Sequence, residues 1–240
     1  GLDKYGSVKY FDLDGNEVAA PVEAKLDNTL TPEVLISKVI EGMGGKEAID
    51  KIKDIQLKGT ASVMGQSLDM LQTKILPGNS LTTMSMGGMV VSKQALIDGK
   101  YTMAQQGMEA PITPEMKEGL EESTYIVPEM MYFAKGYKVK LVGSEKVEGK
   151  DAIDVELTTP SGKVSHRFYD ATTFLLVKTA VTQEVPGKGS VTQQQFYKNY
   201  KLIEGVQVAN DEIIDLGQMK LNVKYSSIKV NQGLKVSELK

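Results

Sequence analysis

His166 is the one histidine of the chain and cysteine is absent, so the side chains that most often do chemistry are nearly missing. A catalytic zinc site built on two or three imidazoles is impossible within the sequence, thiolate nucleophiles and thiolate metal sites are excluded, and a Ser-His-Asp triad would have to use His166. No G-x-S-x-G elbow precedes that residue. Alternation along "KVSHRFYD" groups His166 with Val164 and Phe168, the pattern of a satisfied core or rim histidine. The stretch "DLDGNE", Asp12 to Glu17, offers carboxylate oxygens, but an EF-hand loop needs its glycine sixth and a bidentate acid twelfth. Here Gly15 comes fourth and the twelfth position is Glu23, so the stretch reads as a hairpin turn. The glycine-rich "GMGG" and "PGKG" lack the strand-loop-helix setting that phosphate cradling needs. Asp154 and Glu156 share the polar face of a strand, where solvation accounts for them. The expectation is a chain with no catalytic residue, no metal site and no cofactor, in which a hydrolase built on His166 is the weakest reading.

Composition narrows the partners. The formal net charge is -3 and the charged quarter of the chain is interspersed, so there is no basic stripe to neutralise phosphates, and nucleic acid is not an expected partner. No apolar run approaches the ~18 residues of a membrane span, so no transmembrane segment is expected. Twelve methionines stand beside no tryptophan. Methionine is flexible and polarisable, and serves either as core filler or as an apolar surface that repacks around differing partners.

The elements follow from caps and periods. In "TPEVLISKVIEGMGG" Thr31 is placed as N-cap, Pro32 takes the first helical position, and Leu35, Ile36, Val39, Ile40 and Met43 form one apolar stripe before Gly44 and Gly45 stop the helix. "KEAIDKI" predicts a short second helix. From Ile55 the period is two. A turn at Gly65–Gln66 would set Val63 opposite Leu68 and Ala61 opposite Met70, and turns at Gly87–Gly88 and Asp98–Gly99 continue the meander. "APITPEMKEGLEESTYIVPEMMYFAKGY" breaks it with a long irregular insertion that reads as a lid or inserted helical turns. Strands then resume to the end. The fold class is mainly β with helices, an antiparallel half-barrel of about a dozen strands curled around the N-terminal helix, with a helical lid. Leu35, Val39, Ile40 and Met43 are expected to pack on Leu57, Val63 and Val155.

Two groups of residues are the candidate ligand-binding surface. A two-residue Gly87–Gly88 turn would pair Met86 with Met89 and Met84 with Val91 on a common face. Met116, Met130, Met131 and Phe133 lie in the insertion, which would close over that face and make a wall able to adjust to acyl chains of different length.

The order of parts over residues 30–240, with "LIDGKYTM" and "VEGKDAIDVELTTPSGKVSHRFYDATTFLLVKT", resembles the periplasmic lipoprotein-carrier superfamily, the LolA/LolB-like fold in which an incomplete antiparallel barrel wraps helices over an apolar cavity. The resemblance implies a non-catalytic domain that binds a lipid, an acyl chain or an apolar peptide in the periplasm or cell envelope of a Gram-negative bacterium. The family's carriers commonly hold an arginine and aromatic residues at the cavity; Arg167 is the only arginine of this chain. "LDKYGSVKYFDLDGNEV" is similar to the C-terminal tail of insulinase-type (pitrilysin-family) zinc peptidases, whose H-x-x-E-H motif is absent here. That resemblance implies an upstream peptidase domain in the same polypeptide. Residues 1–20 would be its tail, 21–30 a linker and 31–240 the carrier-like domain. The alternative is a docking module of that peptidase with no small ligand.

Overall fold

A computed structural model describes residues 10–11, 17–18, 29–185, 189–217 and 219–239. The predicted turn after Phe11 and most of the predicted tail and linker lie outside the described residues. The strands β1 (Tyr10–Phe11) and β2 (Glu17–Val18) pair antiparallel, with Tyr10 opposite Val18.

The helices come first in the remainder. In α1 (Pro32–Gly42) the Thr31 hydroxyl accepts the Val34 amide at 3.3 Å, and Met43 closes the last turn onto the Val39 carbonyl at 2.9 Å. Gly44 then takes φ +121, and a Cβ there would lie 2.0 Å from the Gly205 carbonyl oxygen. Only a glycine lets the helix end sit this close to a neighbouring turn. α2 (Lys46–Lys51) follows directly.

Thirteen strands then form one antiparallel sheet. On one wing lie β3 (Asp54–Val63), β4 (Gln66–Ile75), β5 (Asn79–Met86), β6 (Met89–Ile97), β7 (Lys100–Gln105) and β8 (Met108–Glu109). The other holds β9 (Lys138–Val147), β10 (Lys150–Thr158), β11 (Val164–Asp170), β12 (Leu176–Val185) and β13 (Gly189–Lys198). A small separate hairpin, β14 (Lys201–Ile203) and β15 (Val206–Val208), precedes β16 (Asp211–Asp215) and β17 (Lys220–Val230), which join the wings. The order is β8-β7-β6-β5-β4-β3-β17-β16-β13-β12-β11-β10-β9, so β8 and β9 are unjoined edges and the barrel is open. The chain crosses that opening through α3 (Pro114–Ser123) and a 3-10 turn, Pro128–Met131.

Bulges help curl the sheet. The register shifts at Asp154/Val155, Phe168/Tyr169, Tyr225/Ser227 and Met84/Ser85, and an extra residue bends its strand. The concave face wraps α1: Leu35, Val39 and Met43 share one buried cluster with Ile55, Leu57, Val155 and Val223. Each such side chain contributes about 1.5–3 kcal/mol by leaving water. On the convex face Leu239 from the C-terminal segment covers Leu81 and Ala95. The three backbone amides of Gln232, Gly233 and Leu234 fix that segment by donating to the buried Asp54 carboxylate at 2.8–3.2 Å.

Three sequence expectations need correction. Val63 is half-exposed at the end of β3 and outside the α1 cluster, and Ile40 only flanks it. The β3–β4 turn is Met64–Gly65, both at positive φ as a tight hairpin turn requires, so Ala61 faces Leu68 and Val63 faces Gln66. Met86 does pair with Met89, but Met84 faces Ser92, with Val91 the extra residue of the bulge.

Candidate ligand-binding trough

Inside the curl two adjoining spaces remain, the inner one beside α1. The inner one, about 380 Å³, is bounded by Val39 and Met43 of α1, Gln72 and Lys74 of β4, Arg167 of β11, Gln195 and Tyr197 of β13, Glu212 of β16, Glu122 of α3, and Glu129 and Tyr132 at the 3-10 turn. Strand alternation explains why polar side chains point here. Gln72 and Lys74 share the face of Leu68 and Met70, and Arg167 shares that of Ser165 and Tyr169.

Most of these polar groups are paired. An Arg167 guanidinium nitrogen donates to Glu122 Oε2 at 2.6 Å, and the Tyr169 hydroxyl donates to Glu129 Oε1 at 2.9 Å. Gln195 Nε2 and the Tyr225 hydroxyl donate to the two oxygens of Glu212, at 2.7 and 3.2 Å. Lys74 Nζ donates to the Tyr125 carbonyl at 2.6 Å. Burial pushes the carboxyls of Glu129 and Glu212 above their usual range and the Lys74 amine down to about 8.

The outer space, about 1150 Å³, shares Gln72, Gly119, Ser123, Gln195 and Glu212 with the inner one, so the two form a continuous trough. Its walls carry Met70, Met84, Met103 and Met116 among glutamines and threonines. α3 spans it. Thr113 caps the helix by accepting the Met116 amide, and three acidic side chains tie it across both wings. Glu118 accepts from the amide and hydroxyl of Ser161 at 2.8 and 2.6 Å, Glu121 accepts from the Tyr101 hydroxyl at 2.5 Å, and Glu122 meets Arg167. Ser123 and Ser80 hydroxyls meet at 2.9 Å.

The candidate residues read from sequence divide among several places. Met84 and Met116 come together on the outer trough. Met86 and Met89 are exposed at the β5–β6 tip, and Val91 is half-buried in the bulge beside them. Met130 and Met131 line a separate space of about 420 Å³ against α2 and the Leu76–Pro77 turn, and Met131 also packs on Ile36, Tyr132 and Tyr137. Phe133 is exposed.

His166 projects from the opposite, convex face. Its Nδ1 lies 2.7 Å from Asp154 Oδ1 and its ring stacks on Phe168. Asp154 is therefore held by a partner rather than simply solvated, since Val147, Ala152 and Phe168 make an apolar cluster there and burial raises its pKa against the His166 hydrogen bond. Among the described residues no group of three His, Asp or Glu side chains is placed to hold a metal ion. Sequence reasoning did not single out Lys74, Glu122, Glu129, Tyr132, Glu212 or the glutamines. The available signal was a polar residue in phase with apolar ones, as in Leu68, Met70, Gln72, Lys74.

No family model and no curated protein matches this chain. Solved structures match its fold at low identity. A DUF1329 family protein from Desulfovibrio piger aligns at TM-score 0.62 and 13% identity over 87% of this chain and 97% of its own. A protein from Vibrio parahaemolyticus, whose name refers to an outer membrane lipoprotein-sorting protein domain, aligns at 0.60 and 14% over 87% and 97%. A LolA superfamily protein from Nitrosomonas europaea aligns at 0.59 and 12% over 88% and 98%. The fold is LolA-like.

Proposed function

We propose that residues 31–240 form a non-catalytic binding domain that takes a lipid, an acyl chain or an apolar peptide into the trough. The observation that carries this reading is the continuous space under α3, which exceeds the ~300–1,000 Å³ of most small-molecule sites and has adaptable methionine walls. The name of the Vibrio parahaemolyticus neighbour agrees with a lipid-modified cargo and an envelope location. Of the candidate residues read from sequence, Met84 and Met116 are the ones we assign to ligand contact.

The reading is tested with a fluorescent fatty acid added to delipidated protein. Saturable binding is expected, weakened at least about fivefold by Met84→Gln with Met116→Gln, because each amide would be covered by the bound chain, which offers it no partner. Met86→Gln with Met89→Gln, at the exposed tip, should leave affinity unchanged. If the wild-type domain binds no acyl probe, the docking-module reading replaces this one.

We further propose that residues 1–20 are the tail of an insulinase-type zinc peptidase domain and 21–30 the linker to it, in one periplasmic or envelope polypeptide. Support comes from the tail-like sequence up to Val18. An antibody to this domain should detect, in the envelope fraction, a polypeptide long enough to hold a peptidase and carrying chelator-sensitive activity. A band of the domain's own size alone would remove the link.

A further inference from the structure

Among the described residues the buried polar atoms of the inner cavity that lack a partner, the Tyr132 hydroxyl and Arg167 Nε, can both donate. The oxygens of Glu212 are both engaged, Glu122 holds Arg167, and Glu129 holds the Tyr169 hydroxyl. The Tyr132 hydroxyl, in a residue only 1% exposed, and Arg167 Nε are buried without a partner. Lys74 is half-buried, spends one N–H on a neutral carbonyl, feels the attraction of the Glu212 carboxyl, and among the described residues has no carboxylate at salt-bridge distance. A buried hydroxyl with nothing to donate to is costly unless something else brings the acceptor.

We propose that this cavity seats the head of a long-chain carboxylic acid, its carboxylate on Lys74 Nζ and the Tyr132 hydroxyl and its chain in the methionine trough. The proposal rests on the reading above that the trough holds an acyl chain, and adds the head chemistry and the direction of entry. Arg167 is paired with Glu122, so among the described residues Lys74 is the cavity cation without a carboxylate at salt-bridge distance, and the acidic side chains of Glu122, Glu129 and Glu212 disfavour a doubly charged phosphate head more than a singly charged one. The chain's route follows from the walls: beyond the shared residues Gln72 and Gln195 the space widens against Met70, Met84, Met103 and Met116.

The test compares hexadecanoic acid, methyl hexadecanoate and hexadecan-1-ol on delipidated protein by calorimetry. The acid should bind at least about tenfold more tightly than the other two, as expected for a charge-assisted hydrogen bond. Lys74→Met should abolish that preference by weakening the acid at least about tenfold more than the alcohol, and Tyr132→Phe should reduce it about threefold. Direction is read without any variant, from hexadecanoic acid labelled with ¹³C at the carboxyl or at the terminal methyl. A water-soluble paramagnetic agent should broaden the methyl resonance more than the carboxyl. Equal binding of acid and alcohol, a preference that survives Lys74→Met, or a carboxyl more exposed than the methyl would overturn the inference and leave the trough as an acyl site. Binding of none of the three would overturn both.

Discussion

The two ends of the concave face are built on one sheet and filled by opposite means. At one end Leu35, Val39 and Met43 of α1 press on Ile55, Leu57, Val155 and Val223 in a single buried cluster. At the other, Met84 and Met103 share the wall with Gln94, Gln193 and Gln195, and α3 spans the space between the wings without filling it, while Met70 belongs to both the α1 cluster and the trough wall. Branched side chains with few rotamers dominate the filled end, and unbranched ones the open end. Fixed rotamers define a unique packing, whereas methionine accepts several, so stability is concentrated at the α1 end and capacity for a guest at the trough.

Opposite responses to the same insult would express that difference most strongly. Val39→Asp should unfold the domain. It deletes a side chain that is 1% exposed and puts a carboxylate in its place, a cost of several kcal/mol against a total stability of about 5–15 kcal/mol. Met84→Asp should keep the fold, since its carboxylate would face the trough and reach water there. Thermal melts of the two variants read the contrast directly, and equal losses of melting temperature would erase the distinction between the ends.

The junction between the ends should give the next largest effect. Arg167 and Glu122 are both about 15% exposed, so the ion pair that ties α3 to β11 is largely desolvated. Breaking it from one side leaves an uncompensated buried charge, at about 3 kcal/mol, whereas replacing both partners by Met and Leu should recover most of the loss. Urea unfolding of Glu122→Gln, Arg167→Met and Arg167→Met with Glu122→Leu distinguishes the cases. A single variant costing under about 0.5 kcal/mol would mean the pair does not hold the helix.

The two ends also differed in how far the sequence revealed them. Thr31, Pro32 and the Gly44–Gly45 stop announce α1 because capping is local chemistry, and its stripe names Leu35, Val39 and Met43 as the buried side. Two-residue turns such as Gly87–Gly88 and Asp98–Gly99 are legible for the same reason. Bulges are not: one extra residue at Val91 changes which side chains share a face, and nothing in "MGGMVVS" marks it. The inner cavity was hidden by the rule that found the strands. Alternation assigns polar positions to water, and Lys74, Arg167 and Glu212 face inward, where the partners of Lys74 and Arg167 come from a distant segment, Tyr125 and Glu122, and Glu212 meets Tyr225 of the neighbouring strand.

Lys74, at the boundary between the ends, should give a smaller and pH-dependent effect. Its folded-state pKa is about 8 against an ordinary 10.5, because burial disfavours the charged amine. Above the unfolded value both states are neutral and the stabilising contribution of the uncharged side chain is fully present. As pH falls from there through the folded value, the unfolded chain takes up the proton first, and that contribution is lost. At about 1.4 kcal/mol per pKa unit the loss has a ceiling near 3 kcal/mol, and about 1–3 kcal/mol is expected. Lys74→Met removes the titration, so the stability of wild type relative to the variant, from urea unfolding, should rise between pH 7 and pH 10. Using the difference cancels the raised pKa values of Tyr101 and Tyr197, which titrate in both proteins. A difference that stays flat over that range would mean the amine reaches water freely, and the inner cavity would then belong with the open end.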